Sequence, residues 1–182
     1  MLNELSDKEF EIFEHLSQRG FVNIKKSLQV NGETAENWEQ IIYEKYKNIH
    51  KEYVKNITNS EIGFECFERA LFIQWYSSIE PAFLSGIYEV DTESEEIIIK
   101  KLAELIGQNS VALELNFMLC WYYMIADYYF EKFYLNFPQL KIHYEESGKY
   151  KANMIEYFKK SNFVKRGQMG DYLNSIDWDM VE

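Results

Sequence analysis

Proline and glycine are nearly missing from this chain, at 2 and 8 of 182 residues. All-β sandwiches turn every 8–12 residues or so, mostly on these residue types. Their scarcity argues for long helices with few connections. Cysteine is as rare, and Cys66 and Cys120 alone make no disulfide framework. Both sit inside apolar helical patterns, where a free thiol behaves as a small inert hydrophobe. A long apolar run is also lacking. The most apolar stretch, Val111–Ala126, is interrupted by Glu114 and Asn116, whereas a membrane span needs about 20 apolar residues. Met1–Glu14 alternates charged and apolar residues without the hydrophobic centre of a signal peptide. Together these absences predict a soluble, cytoplasmic protein.

Positive charge is short as well. The formal net charge is −11, so the chain lacks the basic stripe that displaces counterions from phosphates. Nucleic acid is excluded as a partner on this ground, and anionic membrane surfaces with it. The imbalance is local. Residues 61–100 hold nine acidic residues against two basic ones, while residues 141–182 balance at seven and seven.

Reactive constellations are missing too. The residues three before His15, His50 and His143 are Ile12, Lys47 and Leu140, so the Glu-x-x-His pairs of di-iron bundles do not occur. Two cysteines and three scattered histidines give no zinc spacing. No phosphate-cradling glycine loop and no Gly-x-Ser-x-Gly elbow is present, and Gly167 with Gly170 is no fingerprint. No cofactor and no metal is expected.

What the chain does have is aromatic mass: 4 Trp, 14 Tyr and 13 Phe. Fully burying one such side chain is worth roughly 1.5–3 kcal/mol, which is ample for a core. The residues read as helices. Ser6 and Glu9 form a capping box that opens a helix carrying Phe10 and Phe13 to Arg19, before Gly20. Residues 21–30 fit a short strand or a helical turn. Trp38, Ile41, Ile42, Tyr46, Ile49, Tyr53 and Ile57 form the clearest amphipathic stripe, and Phe64, Phe67, Leu71, Trp75 and Ile79 a second. Pro81 ends or kinks that helix, with a short piece expected over 83–88. Thr92 with Glu95 makes another capping box, opening a helix to Gly107. Asn109 or Ser110 caps a long helix to about Asn136, apolar on most sides. Tyr150, Met154, Tyr157 and Phe158 mark a further helix, residues 167–170 a loop, and residues 171–181 a short terminal helix. The predicted fold is all-α, a single domain of about six or seven helices around the apolar helix at about 110–136.

Two surfaces remain as candidate sites. On the long helix, Asn116, Cys120, Tyr123, Asp127, Glu131 and Tyr134 fall within about 80° of arc. They read either as a groove of phenols and carboxylates for a small ligand or catalysis, or as a solvent-facing or internally satisfied stripe. The second candidate is the connector bearing Glu89, Asp91, Glu93, Glu95 and Glu96. It reads as a solvated, well-capped helix start or as a docking patch for a basic protein. Toxic nucleases and defence effectors are often basic because they grip phosphates. The function expected is therefore non-enzymatic: an immunity- or antitoxin-like protein, or an anti-defence inhibitor, that neutralises such a partner. The alternative is a ligand-binding protein or enzyme using the central groove. Trp178, between Asp177 and Asp179, is expected to be partly exposed or packed under a terminal helix.

Overall fold

The computed structural model of the chain describes residues 1–12, 16 and 38–181. The first helix's end at Arg19, the ambiguous segment 21–30 and the Asn31-Gly32 turn lie outside the described residues, as does His15. Regular structure among the described residues is entirely helical. The helices are α1 (residues 2–12), α2 (Trp38–Asn56), α3 (Gly63–Tyr76), α4 (Ala82–Ser85), α5 (Thr92–Gly107), α6 (Leu113–Ala126), α7 (Tyr128–Glu131), α8 (Pro138–Ser147), α9 (Lys151–Lys160) and α10 (Gly167–Ser175). One 3₁₀ turn, Gly148–Tyr150, joins α8 to α9. None of these helices is long and apolar enough to cross a membrane.

The second helix follows its sequence pattern closely. Ile42, Tyr46, Ile49 and Tyr53 recur every three or four residues and are all buried, and the helix packs against α3. In α3 every residue from Cys66 to Trp75 is buried, including the charged Glu68 and Arg69. That helix shares the centre of the fold with α6, buried from Phe117 to Tyr123. The two meet where the Trp75 and Tyr122 rings stack 4.2 Å apart, and the Trp75 indole N–H donates to the Tyr122 carbonyl at 3.2 Å. Offset-stacked pairs of this kind add about 0.5–1.5 kcal/mol beyond their buried area.

Several elements differ from the sequence reading. The first helix starts at residue 2, so Ser6 is no N-cap: its hydroxyl bonds the Leu2 carbonyl one turn back, at 3.0 Å. Its inward face is Leu5, Glu9 and Ile12, while Phe10 stands 53% exposed. The cap of α5 is Asp91, which accepts from the Ser94 N–H at 3.1 Å, one residue before the expected Thr92. The helix expected from about 110 to 136 is interrupted. It starts at Leu113, ends at Ala126, and gives way to the single turn of α7 and further turns before Pro138. No Pro or Gly lies in 127–136; the aromatic side chains are pulled apart instead. Tyr128 bonds the Ser78 carbonyl at 2.7 Å and Tyr129 bonds Gln74 at 3.1 Å.

Pro138 opens α8 at its first position, where its missing N–H has no partner to lose. This helix was not anticipated. Trp178 is buried, its indole N–H bonded to the Leu173 carbonyl at 3.1 Å and its ring against Trp121 and Phe158.

The last helix starts four residues before the expected 171, inside the presumed loop. Gly167 (φ 60°) follows Arg166 and the left-handed Lys165 (φ 67°). A Cβ on Gly167 would stand 2.5 Å from a Glu9 carboxylate oxygen, and one on Gly170 2.1 Å from the Phe163 carbonyl. These two glycines allow backbone to approach where any side chain would collide. Gly170→Ala is expected to lower unfolding free energy by about 1–3 kcal/mol, the scale of a forced steric insertion. Urea unfolding checks this, with Gly148→Ala, which meets nothing within 4 Å, as the control.

Candidate functional site

Charged and polar side chains, rather than apolar ones, fill the space between α1, α2, α3 and the segment Lys165–Gln168. Glu9 is 1% exposed. Its carboxylate receives the Tyr53 hydroxyl and the Gln168 backbone N–H (2.9 Å), with the Tyr46 hydroxyl at 3.0 Å. Tyr46 also bonds the side-chain oxygen of Gln168, whose amide nitrogen donates to the Ser85 carbonyl at 3.1 Å. Burial pushes the Glu9 pKa up against these hydrogen bonds and the charge of Arg69. The Arg69 guanidinium bonds Ser6, the Tyr53 hydroxyl at 3.1 Å and the Lys165 carbonyl at 3.1 Å. The Ser6/Glu9 pair is therefore an anchor for distant chain, not a helix cap.

A second cluster adjoins the first. Arg166 donates to Glu65 at 2.8 and 2.6 Å, to Glu68 at 2.8 Å and to Glu114. Glu65 also takes Arg69 at 2.7 Å, and Glu114 the Tyr157 hydroxyl at 2.5 Å. Burial works to raise the Glu65 pKa, but the two arginines outweigh it and hold the group below the usual range. These residues join α3, α6, α9 and the segment before α10.

The polar stripe of the long helix is brought together, but against α8. The Asn116 side chain meets His143 Nε2 at 2.9 Å, and the Tyr123 hydroxyl meets His143 Nδ1 at 3.3 Å. The Tyr144 hydroxyl donates to Asp127 at 3.0 Å, and its ring stacks on Tyr134 at 6.3 Å. Glu131 is exposed beyond the break at Asp127. What stays open is a depression floored by Asn116 and His143, between Val111, Ile142 and Tyr150. The Asn116 oxygen can only accept, so Nε2 carries the ring proton and Nδ1 accepts from Tyr123. Burial lowers the His143 pKa to about 4, so the ring is neutral near pH 7.

The acidic connector divides. Asp91 caps α5 and pairs with Lys51 at 2.9 Å; these bonds lower its pKa to about 2. Glu95 pairs with Lys132 at 2.8 Å and takes the Tyr129 hydroxyl. Glu89 pairs with Lys47 at 3.2 Å but its side chain is 64% exposed. Glu93 and Glu96 are exposed, with no ion pair among the described residues. Cys66 and Cys120 are buried free thiols with pKa values pushed up by burial. Among the described residues no group of three or more His, Cys, Asp or Glu is arranged to hold a metal ion.

Two outcomes are expected. Arg166→Met should cost about 3–5 kcal/mol in urea unfolding, because it removes the cation that Glu68 and Glu114 share while Glu65 keeps only Arg69. For His143 the lowered pKa means the unfolded chain binds the proton first. Its contribution to stability is full above pH 6.5 and falls away as pH drops to about 4. His143→Gln should therefore gain on the native chain across that window, by up to about tenfold per pH unit in the unfolding constant, as read from paired melts.

Compared with known proteins, the chain matches no family model, no curated protein and no solved structure. The functional reading rests on the residues themselves.

Proposed function

We propose that this protein acts without catalysis, by docking an acidic face onto a basic protein and neutralising it, in the manner of an immunity or antitoxin protein or an inhibitor of a nuclease. The observation that carries this reading is the pair Glu93 and Glu96, exposed near the start of α5 without a counter-ion among the described residues. Glu89 and Tyr88, the latter 66% exposed, extend the same chain segment. Tyrosine at an interface buries much area while keeping a polar tip. Exposed like charges are retained at some cost in self-repulsion and speed association with a cationic partner.

Asp91 and Glu95 have structural duties, so the docking set narrows to Glu89, Glu93 and Glu96. Surface pairs such as Lys47–Glu89 contribute about 0–1 kcal/mol and exchange readily for a partner's cation. The alternative, a ligand groove on the long helix, finds His143 and Tyr144 of α8 occupying most of the polar stripe.

Capture from the cells that make the protein tests the reading, with the native chain compared with Glu93→Lys/Glu96→Lys. The native chain should retain a basic protein, and the reversed chain should lose it with an unchanged circular dichroism spectrum. Added salt should mimic the reversal, since screening shortens to about 3 Å at 1 M. A partner held equally by both chains, or an acidic one, would sink the proposal.

A further inference from the structure

The cluster around Arg166 does not balance in charge. Glu65, Glu68 and Glu114 all bond this one guanidinium, and the second cation in contact, Arg69, bonds Glu65. Three carboxylates thus meet two arginines; the Glu65 and Glu114 side chains are each 25% exposed and Glu68 only 3%, so uncompensated charge is costliest on Glu68. Donors are shared unevenly. Glu65 accepts three N–H bonds, two from Arg166 and one from Arg69. Glu114 accepts from Arg166 and from Tyr157. Glu68 accepts one, at 2.8 Å, from the same Arg166 nitrogen that serves Glu65. Among the described residues its other oxygen is buried without a partner, and so is the hydroxyl of Tyr122. Glu68 is 2% exposed and Tyr122 fully enclosed.

We propose that Glu68 is the protonated member of this cluster, and that its proton closes the fold by letting Arg166 seat among three carboxyl groups. A neutral acid removes the surplus charge and turns an orphaned acceptor into a donor near the Tyr122 hydroxyl. The groups that face it are Glu65 and Arg69 on its own helix, Glu114 and Tyr122 from α6, and Arg166 from the segment before α10. Tyr157 of α9 reaches it through Glu114, and Tyr172 of α10 lies beside Tyr122. Burial dominates and moves the Glu68 carboxyl up to about 8; Arg166 opposes the shift, and Glu114 and Glu65 add to it.

A carboxyl pKa raised by folding means that folding takes up a proton. The stabilisation is whole below about pH 4.5 and is lost as pH rises to about 8. Within that window one proton changes the unfolding constant about tenfold per pH unit. The part released is the Lys165–Gln168 segment with α10, which depends on Arg166.

Urea unfolding of the full chain between pH 6.5 and 8, above the range of His50 and His143, tests this against Glu68→Gln. Glutamine keeps the shape and the donor of the protonated acid. The native unfolding constant should rise with pH more steeply than the variant's, by about tenfold per pH unit. Tryptic cleavage after Lys165, normalised to an unstructured peptide, should quicken over the same range in the native chain alone. Equal slopes, or equal cleavage, overturn the proposal. Should the variant fail to fold, the carbon-13 shift of the native Glu68 carboxyl decides. Titration near 8 supports the proposal, and titration near the ordinary 4.5 overturns it.

Discussion

The insertion of one short segment, Lys165–Gln168, into a polar interior is the constraint on which the arrangement of the helices depends. Lys165, Arg166 and Gln168 bond α1 through Ser6 and Glu9, α2 through Tyr46, α3 through Glu65, Glu68 and Arg69, Ser85 of α4, and α6 through Glu114. Apolar contact between helices is nearly indifferent to a slide of one turn. A guanidinium among three carboxylates is not, because a misplaced charge stays desolvated without its partners. The backbone pays for this insertion with two departures from ordinary geometry on either side of Arg166, the left-handed Lys165 and Gly167. Such conformations persist where the surroundings over-determine them.

Around this polar hub the aromatic residues form two clusters within the core. Phe72, Trp75, Tyr76, Tyr122 and Tyr172 form one continuous ring cluster joining α3, α6 and α10. Trp121, Phe158 and Trp178 form another beneath the chain's end. Many of these rings carry a polar tip that serves the network. Tyr46 and Tyr53 reach Glu9, Tyr157 reaches Glu114, and the Trp121 indole meets the Tyr172 hydroxyl at 3.1 Å. Tyrosine outnumbers every other aromatic, which suits an interior where a purely apolar ring would leave a carboxylate unsatisfied.

The helical class and the face of α2 were legible in the sequence because periodicity reports burial directly, as at Ile42, Tyr46, Ile49 and Tyr53. The interior charges were not, because a Ser-x-x-Glu spacing has two physical outcomes. At a helix start it caps; one turn further in, the same two side chains point into the core. What separates them is phase. Glu9 shares its face with Leu5 and Ile12, four before and three after, while Phe10 lies off that face. Glu68 and Arg69 gave a similar signal, charges enclosed by Phe67, Ala70 and Leu71 in a helix with no polar side. The break at Asp127 had no local sign at all, since it follows from hydrogen bonds of Tyr128 and Tyr129 to residues some fifty positions earlier. Of the groove candidates, Asn116, Tyr123, Asp127 and Tyr134 each meet His143 or Tyr144 of α8. The helix that covers them was missed because Pro138 was read as a stop rather than a start.

The interior also changes what the acidic composition means. Residues 61–100 carry most of the charge imbalance, yet Glu65 and Glu68 are spent on Arg166, Asp91 on capping, and Glu95 on Lys132. The surface field there comes from the remainder, Glu61, Glu80, Glu89, Glu93 and Glu96. Counting charge along a chain therefore overstates the surface potential wherever carboxylates are consumed internally. With a Debye length of about 8 Å at physiological salt, it is the spacing of Glu89, Glu93 and Glu96, on and just before α5, more than the net charge of the chain, that a basic partner would sense.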